Sequence, residues 1–149
     1  MYTLLLPQGA KRLLRMPSLS QAILRKEVGR MKLTIPATPP SLNVQHRMHY
    51  RAKMSLKREW VLQIRAVLPI PFNSRLNRKK KVVITLFHSR PYDKDNAYGA
   101  VKPVVDAMKV WCLLRDDTAE WLDLSVEQEK WPHKRRHTVI EIEEVWPDG

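Results

Sequence analysis

The sequence predicts an α+β domain: a small mixed β-sheet with two main helices packed on one face. Three observations carry this. Strand-like segments stand at 31–36, 122–130 and 138–145, with a short, mostly apolar run at 82–87. Apolar residues at helical spacing occupy 53–68 and, again, about 96–110. The resulting order, strand–helix–strand–helix–strand–strand, suits helices gathered on one side of a sheet.

Met31 opens the first strand, and Pro36, Pro39 and Pro40 then impose an extended, non-helical stretch. In the first helix Leu56, Trp60, Ile64, Val67 and Leu68 share one face, and Pro69 and Pro71 stop it. A polar, basic loop follows from Asn73 to Lys81. The run from Val82 to Phe87 is rich in β-branched and aromatic residues, as expected of a strand covered on both faces. The second helix, from about Asn96 to Val110, turns Ala97, Val101, Val104 and Met108 toward the core. Pro103 has no N–H to offer the carbonyl of Gly99, so a kink is expected there. Leu122, Leu124 and Val126 alternate inward in one strand, Ile140 and Ile142 in the next. These two flank the turn 131–137 and are expected to pair as a hairpin.

Residues 1–30 differ from the rest in lacking a sustained pattern, so the domain is expected over 31–149. Two readings of the first thirty residues stand side by side. Lys26-Glu27-Val28 can be encoded by a purine-rich ribosome-binding sequence placed just before Met31, which suggests a mis-called extension; the other reading is a basic arm that touches DNA.

With 27 Lys+Arg against 15 Asp+Glu, the chain carries a formal net charge of +12. A field of that sign favours a polyanionic partner, nucleic acid first. A single cysteine, Cys112, excludes an intramolecular disulfide and a cysteine-based zinc cluster. Its neighbours Trp111, Leu113 and Leu114 suggest a buried thiol. No apolar run approaches the length of a membrane span, and the early Leu-rich stretch precedes its basic residues, the wrong order for a secretion signal. A cytoplasmic protein with no membrane partner is the expectation.

In so basic a chain, clustered acids stand out. Asp93 and Asp95 follow the 82–87 strand and open the second helix; Asp116 and Asp117 follow that helix. Three oxygens from Asp93, Asp95 and one of the later pair suit a hard cation such as Mg²⁺, which fills the rest of its shell with water and phosphate. Such an ion would lower the pKa of its water and offset charge on the phosphorus oxygens during phosphodiester hydrolysis. The competing reading makes these aspartates helix caps and turn formers. Counted at 100° per residue, Asp95, Lys102 and Asp106 fall within about 40° on one stripe. Lys102 could then stabilise a developing oxyanion, or simply pair with Asp106 across one turn.

Taken in order, Asp93-Lys94-Asp95-Asn96, Lys102-Pro103-Val104-Val105-Asp106 and Leu114-Arg115-Asp116-Asp117 resemble the signature of RusA-type Holliday junction resolvases. Pro39-Pro40-Ser41-Leu42-Asn43, the basic stretch 47–58 with Trp60, and Glu127-Gln128-Glu129-Lys130 are similar to further family segments. The resemblance covers about residues 31–145. It implies a RusA-like fold and a homodimer that binds four-way DNA junctions and makes paired nicks with Mg²⁺, for which Mn²⁺ can substitute. By position, Asp93, Asp95 and Asp117 match the metal-binding aspartates and Lys102 the catalytic lysine; Asp116 and Asn96 match supporting positions. Two departures are visible. Three more residues separate Asn96 from Lys102 than in the bacterial prototype, and Trp111-Cys112 stands where the family usually has an Ala-Gly turn.

Arg47, His49, Arg51, Lys53, Lys57 and Arg58 form a basic run expected to contact DNA phosphates, fixing position without reading bases. Two alternatives remain: a non-catalytic nucleic-acid-binding module, and a nuclease for flaps or forks.

Overall fold

The computed structural model describes residues 29–69 and 75–145, with the side chain of His133 excepted. Four strands and the helices between them run in the order β1 (Arg30–Ile35), α1 (Leu42–Arg47), α2 (Tyr50–Val67), β2 (Lys80–His88), α3 (Lys94–Ala100), α4 (Lys102–Val110), β3 (Leu122–Lys130) and β4 (His137–Glu144). A single 3₁₀ turn, His133–Arg135, joins β3 to β4. The architecture is α+β with a mixed sheet, as the patterning predicts.

The strand order is β1-β4-β2-β3. β4 runs antiparallel to both β1 and β2, whereas β2 and β3 are parallel. The expected hairpin between the last two strands is therefore absent: β2 lies between them, and the 131–136 connection crosses its end. The reason lies in β2 itself. Val82, Ile84 and Leu86 are fully buried on one face, and Thr85 is only 8% exposed on the other. A strand so covered belongs inside the sheet, with a partner on each side.

One face of the sheet carries the core. Leu33, Ile35, Val82, Ile84, Leu86, Ile140 and Ile142 pack there with Trp60, Ile64 and Leu68 from α2 and with Val104, Val105 and Met108 from α4. The apolar stripe read from 53–68 is thus the stripe that is buried. The helix itself begins earlier, at Tyr50, capped by the His49 ring, which accepts from the Arg51 N–H at 3.4 Å. Ahead of it α1 was not anticipated: Ser41 caps it through a bond from the Val44 N–H, and it contributes no buried residue.

The expected second helix is two. α3 ends at Ala100 and α4 starts at Lys102, with Pro103 in its first turn. The missing proline N–H does more than bend the helix: the Val101 N–H turns to the Gly99 carbonyl, and Gln45 of α1 donates to the Ala100 carbonyl at 3.0 Å. Both carbonyls at the break are thereby satisfied. Gly99 lets α1 approach; a Cβ there would stand 2.5 Å from a Leu42 methyl carbon.

Two inward positions in the sheet are charged. Lys80 and Glu144 are register partners, 1% and 8% exposed, with Nζ 3.3 Å from the carboxylate and 2.6 Å from the Arg75 carbonyl. Pairing offsets a desolvation cost that neither charge could bear alone. Burial pulls the Lys80 pKa down despite Glu144.

β1 begins one residue before Met31, since Arg30 pairs with Glu143 and the Gly29 carbonyl accepts from the Glu144 N–H. The expectation for the rest of residues 1–30 lies outside the described residues. Among the described residues no helix is long and apolar enough to cross a membrane.

Candidate active site

The β2–α3–α4–β3 crossover positions every acidic residue singled out in the sequence. Asp93 lies just beyond the end of β2, at the N-cap of α3; Asp95 is in the first turn. Both are exposed, and Asn96 beside them is half-buried. Asp93 has the cap position without the cap's chemistry, for its carboxylate makes no hydrogen bond to the helix. Among the described residues neither Asp93 nor Asp95 has a side-chain hydrogen bond or ion pair.

The loop that delivers Asp93 is held by Gln128 of β3. Its Oε1 accepts from the Tyr92 N–H at 2.6 Å, and its Nε2 donates to the Tyr92 carbonyl at 2.8 Å. The amide thus takes both backbone groups, as a neighbouring strand would. The same Oε1 lies 3.0 Å from His88 Nε2, which must be the donor because the amide oxygen can only accept. Burial depresses the His88 pKa. The Tyr92 hydroxyl donates to the Pro39 carbonyl at 2.9 Å, joining the loop to the segment before α1, and burial raises its pKa.

At the far end of the crossover, α4 closes with a Schellman motif. The Leu113 N–H reaches the Met108 carbonyl and the Cys112 N–H the Lys109 carbonyl. Cys112 holds the left-handed position, φ 58°, that glycine usually takes. Its thiol is exposed, not buried as the neighbouring residues suggest, because this turn points it outward. Trp111 anchors the turn, its indole N–H donating to the Val61 carbonyl of α2 at 2.7 Å.

From that turn the chain doubles back along α4 and brings Asp117 to the helix. Lys102 Nζ lies 2.5 Å from Asp117 Oδ2 and 3.2 Å from Asp106 Oδ1; Lys109 Nζ lies 3.7 Å and 3.6 Å from the same two oxygens. Asp116 supports the bend, its Oδ1 accepting from the Asp117 N–H at 2.8 Å. The Lys102 ammonium, helped by Asp116, holds Asp117 at a pKa of about 2, and Asp117 in turn raises the Lys102 pKa. The Lys102 side chain is 57% exposed, so water screens the cluster and its role is to orient charge rather than to hold the fold.

The cluster joins Lys102, Asp117, Asp106 and Lys109, while Asp93 and Asp95 stand apart from it. Among the described residues no three His, Cys, Asp or Glu side chains form a group that could hold a metal ion. The donor chemistry suits a hard cation, but as the side chains stand the three aspartates do not meet. A shallow pocket of about 170 Å³ adjoins the Lys102–Asp117 pair, lined also by Tyr98, Val105 and Leu124; neither Asp93 nor Asp95 lines it.

The basic run lies along α1 and α2. Arg47, His49, Arg51, Lys53, Lys57 and Arg58 are all exposed, and none is paired with a carboxylate among the described residues. Gln128, Tyr92 and Gln45 are positioning residues to which the motifs assign no role, although Gln128 stands within the family-like segment 127–130. For Gln128 a signal existed: it occupies an inward position of β3, in step with Leu122, Leu124 and Val126, where a polar group needs a partner.

No protein-family model matches the chain, and no curated protein matches it either.

Proposed function

We propose that this chain is a magnesium-dependent, structure-selective DNA endonuclease that resolves four-way junctions by paired nicks, as its likeness to the RusA-type resolvases implies. The observation that carries this reading is the idle carboxylate of Asp93. An aspartate at a helix start ordinarily bonds a free N–H of the first turn; this one does not, and among the described residues Asp95 nearby has no side-chain partner either. Two exposed carboxylates without a partner among the described residues, in a chain of net charge +12, repel a nucleic-acid substrate unless a cation sits between them.

Asp93, Asp95 and Asp117 are the residues that would hold Mg²⁺ or Mn²⁺, and Asp117 would have to exchange its Lys102 contact to do so. When bound there, such an ion would supply Lewis acidity and lower the pKa of an attacking water. Lys102, released from Asp117, is free to grip the scissile phosphate, while its ion pair with Asp106 keeps it on the α4 face. Asp116 fixes the bend, and Asn96 borders the first pair. The exposed cations of α1 and α2 track phosphates on either side. A homodimer presents two such sites to the near two-fold symmetry of a junction, which makes paired nicking possible.

The test is cleavage of a synthetic four-way junction with Mg²⁺ by the wild type and by Asp93→Asn, with flap and fork substrates alongside. The wild type should nick the junction fastest. Asp93→Asn should bind as tightly or more so and lose nicking by at least about ten- to a hundred-fold, the cost of disturbing even the outer partners of a metal site. Equal cleavage by the two proteins removes Asp93 from the chemistry; binding without cleavage by the wild type would make this a non-catalytic DNA-binding module.

A further inference from the structure

The crossing between β3 and β4 brings an aromatic cluster to the rim where the Asp93 loop begins. Phe87, near the end of β2, stacks on its register partner His137, with ring centres 4.3 Å apart and planes 7° from parallel. Trp131 stands nearly perpendicular to both, 5.6 Å from each, so its ring is braced in one orientation. Its backbone N–H donates to the His88 carbonyl at 2.9 Å, and the His137 ring is fixed by a 2.7 Å bond from Nδ1 to the Arg135 carbonyl. Despite this bracing Trp131 remains 39% exposed. A large aromatic held rigid at the surface, without completing any core, is poised for a flat partner.

Charge says what that partner is. Lys130, Lys134, Arg135 and Arg136 lie within five residues of Trp131 along the chain, all exposed and none in an ion pair with a carboxylate among the described residues. The bond from the Trp131 N–H to the His88 carbonyl sets the patch at the end of β2, where the loop leading to Asp93 starts. The outer sheet face beyond Phe87 is mixed in charge, with Glu127, Glu129 and Glu141 exposed there along with Arg30, Lys32 and Lys81. The bases of a duplex are stacked on one another, whereas one unstacked nucleotide reaching the rim meets cations for its phosphate and an indole for its base.

We propose that Trp131 is a stacking platform for an unpaired nucleotide of branched DNA, with Arg136 and its basic neighbours holding the adjoining phosphates. This rests on the nucleic-acid reading above and adds the source of branch selectivity: the site favours DNA whose bases can splay. Stacking on an aromatic is tolerant of sequence, so little preference among bases follows.

The test uses the full chain in EDTA, so that binding is separated from cleavage. The probes are a thymine-rich single strand carrying one 2-aminopurine, a four-way junction, and a fully paired duplex. The wild type should quench the 2-aminopurine and bind the single strand and junction more tightly than the duplex. Trp131→Ala should abolish the quenching and weaken both by about ten-fold or more, the scale of one lost base–aromatic stack, with duplex affinity within two-fold. Trp131→Phe should restore most of the quenching, an effect that a merely structural role would not produce. If the alanine variant melts below assay temperature, Trp131→Leu, which keeps bulk without a π face, takes its place. Unchanged quenching or junction affinity in these variants overturns the platform while leaving nuclease activity standing. Failure of the wild type to bind any of the three DNAs overturns both proposals.

Discussion

The Lys102 ammonium lies between two carboxylates, 2.5 Å from Asp117 and 3.2 Å from Asp106. With Lys109 alongside, two positive and two negative side chains cancel locally. Asp93 and Asp95 lie outside that cluster, at the other end of α3, a helix of seven residues and so roughly 10 Å long. The cluster is a charge holder: Lys102 keeps Asp117 ionised and aimed until something better takes the ammonium's place.

Replacing Lys102 by Met should therefore release Asp117. Its pKa should rise from about 2 toward its ordinary 3.8, readable as a carboxyl-carbon NMR titration. The sign follows from the depressed folded value. Asp117 favours the folded state above its unfolded pKa and loses that contribution as pH falls toward 2, so the variant should show a shallower loss of stability over that acid range. A titration midpoint unmoved by the substitution would show that Lys102 is not what holds Asp117 down.

Gln128→Leu should loosen the loop ahead of Asp93. Both Tyr92 backbone groups lose their partner, at a cost of about 1–3 kcal/mol, and the Tyr92 amide should exchange faster with solvent. His88 supplies a pH arm. Its folded pKa is lowered by burial, so its contribution favours the fold above the unfolded value and fades as pH falls through and below it. Denaturation midpoints of the wild type should decline across that range. If the Leu variant matches the wild type in both amide exchange and stability, Gln128 does not position the loop.

Cys112→Gly should stabilise the protein by about 0.5–1 kcal/mol, since a left-handed residue other than glycine pays roughly 1–2 kcal/mol, partly offset by glycine's larger freedom in the unfolded chain. Thermal denaturation checks this. A lower melting temperature would contradict the assignment of a strained αL cap.

Much of the fold was legible because burial writes itself into spacing. The stripe at Leu56, Trp60 and Ile64 and the inward sets of each strand are the residues that meet in the core. What escaped lies where local pattern and long-range partner disagree. α1 has no apolar stripe to announce it, being capped by Ser41 and tied down by the long-range bond from Gln45 to Ala100. The last two strands look like a hairpin along the chain, yet β2, buried on both faces, outbids either for the central position. Pro103 signalled a distortion but not its extent; at the break the Val101 N–H takes the Gly99 carbonyl and Gln45, from another helix, takes that of Ala100. In the candidate site, the lysine–aspartate partnership across one helical turn was readable from spacing. The return of the chain to place Asp117 on Lys102 was not, for it depends on a left-handed cysteine and a tryptophan bonded to another helix.

The most direct test of the central claim is the anomalous density of Mn²⁺ soaked into crystals of the protein. One peak should appear with the carboxylates of Asp93, Asp95 and Asp117 around it at about 2.0–2.3 Å, the range of hard-cation oxygen contacts, and with the Lys102 ammonium displaced from Asp117. A map without a peak there, or with Asp117 still bound to Lys102 and the ion elsewhere, would contradict the metal-dependent account.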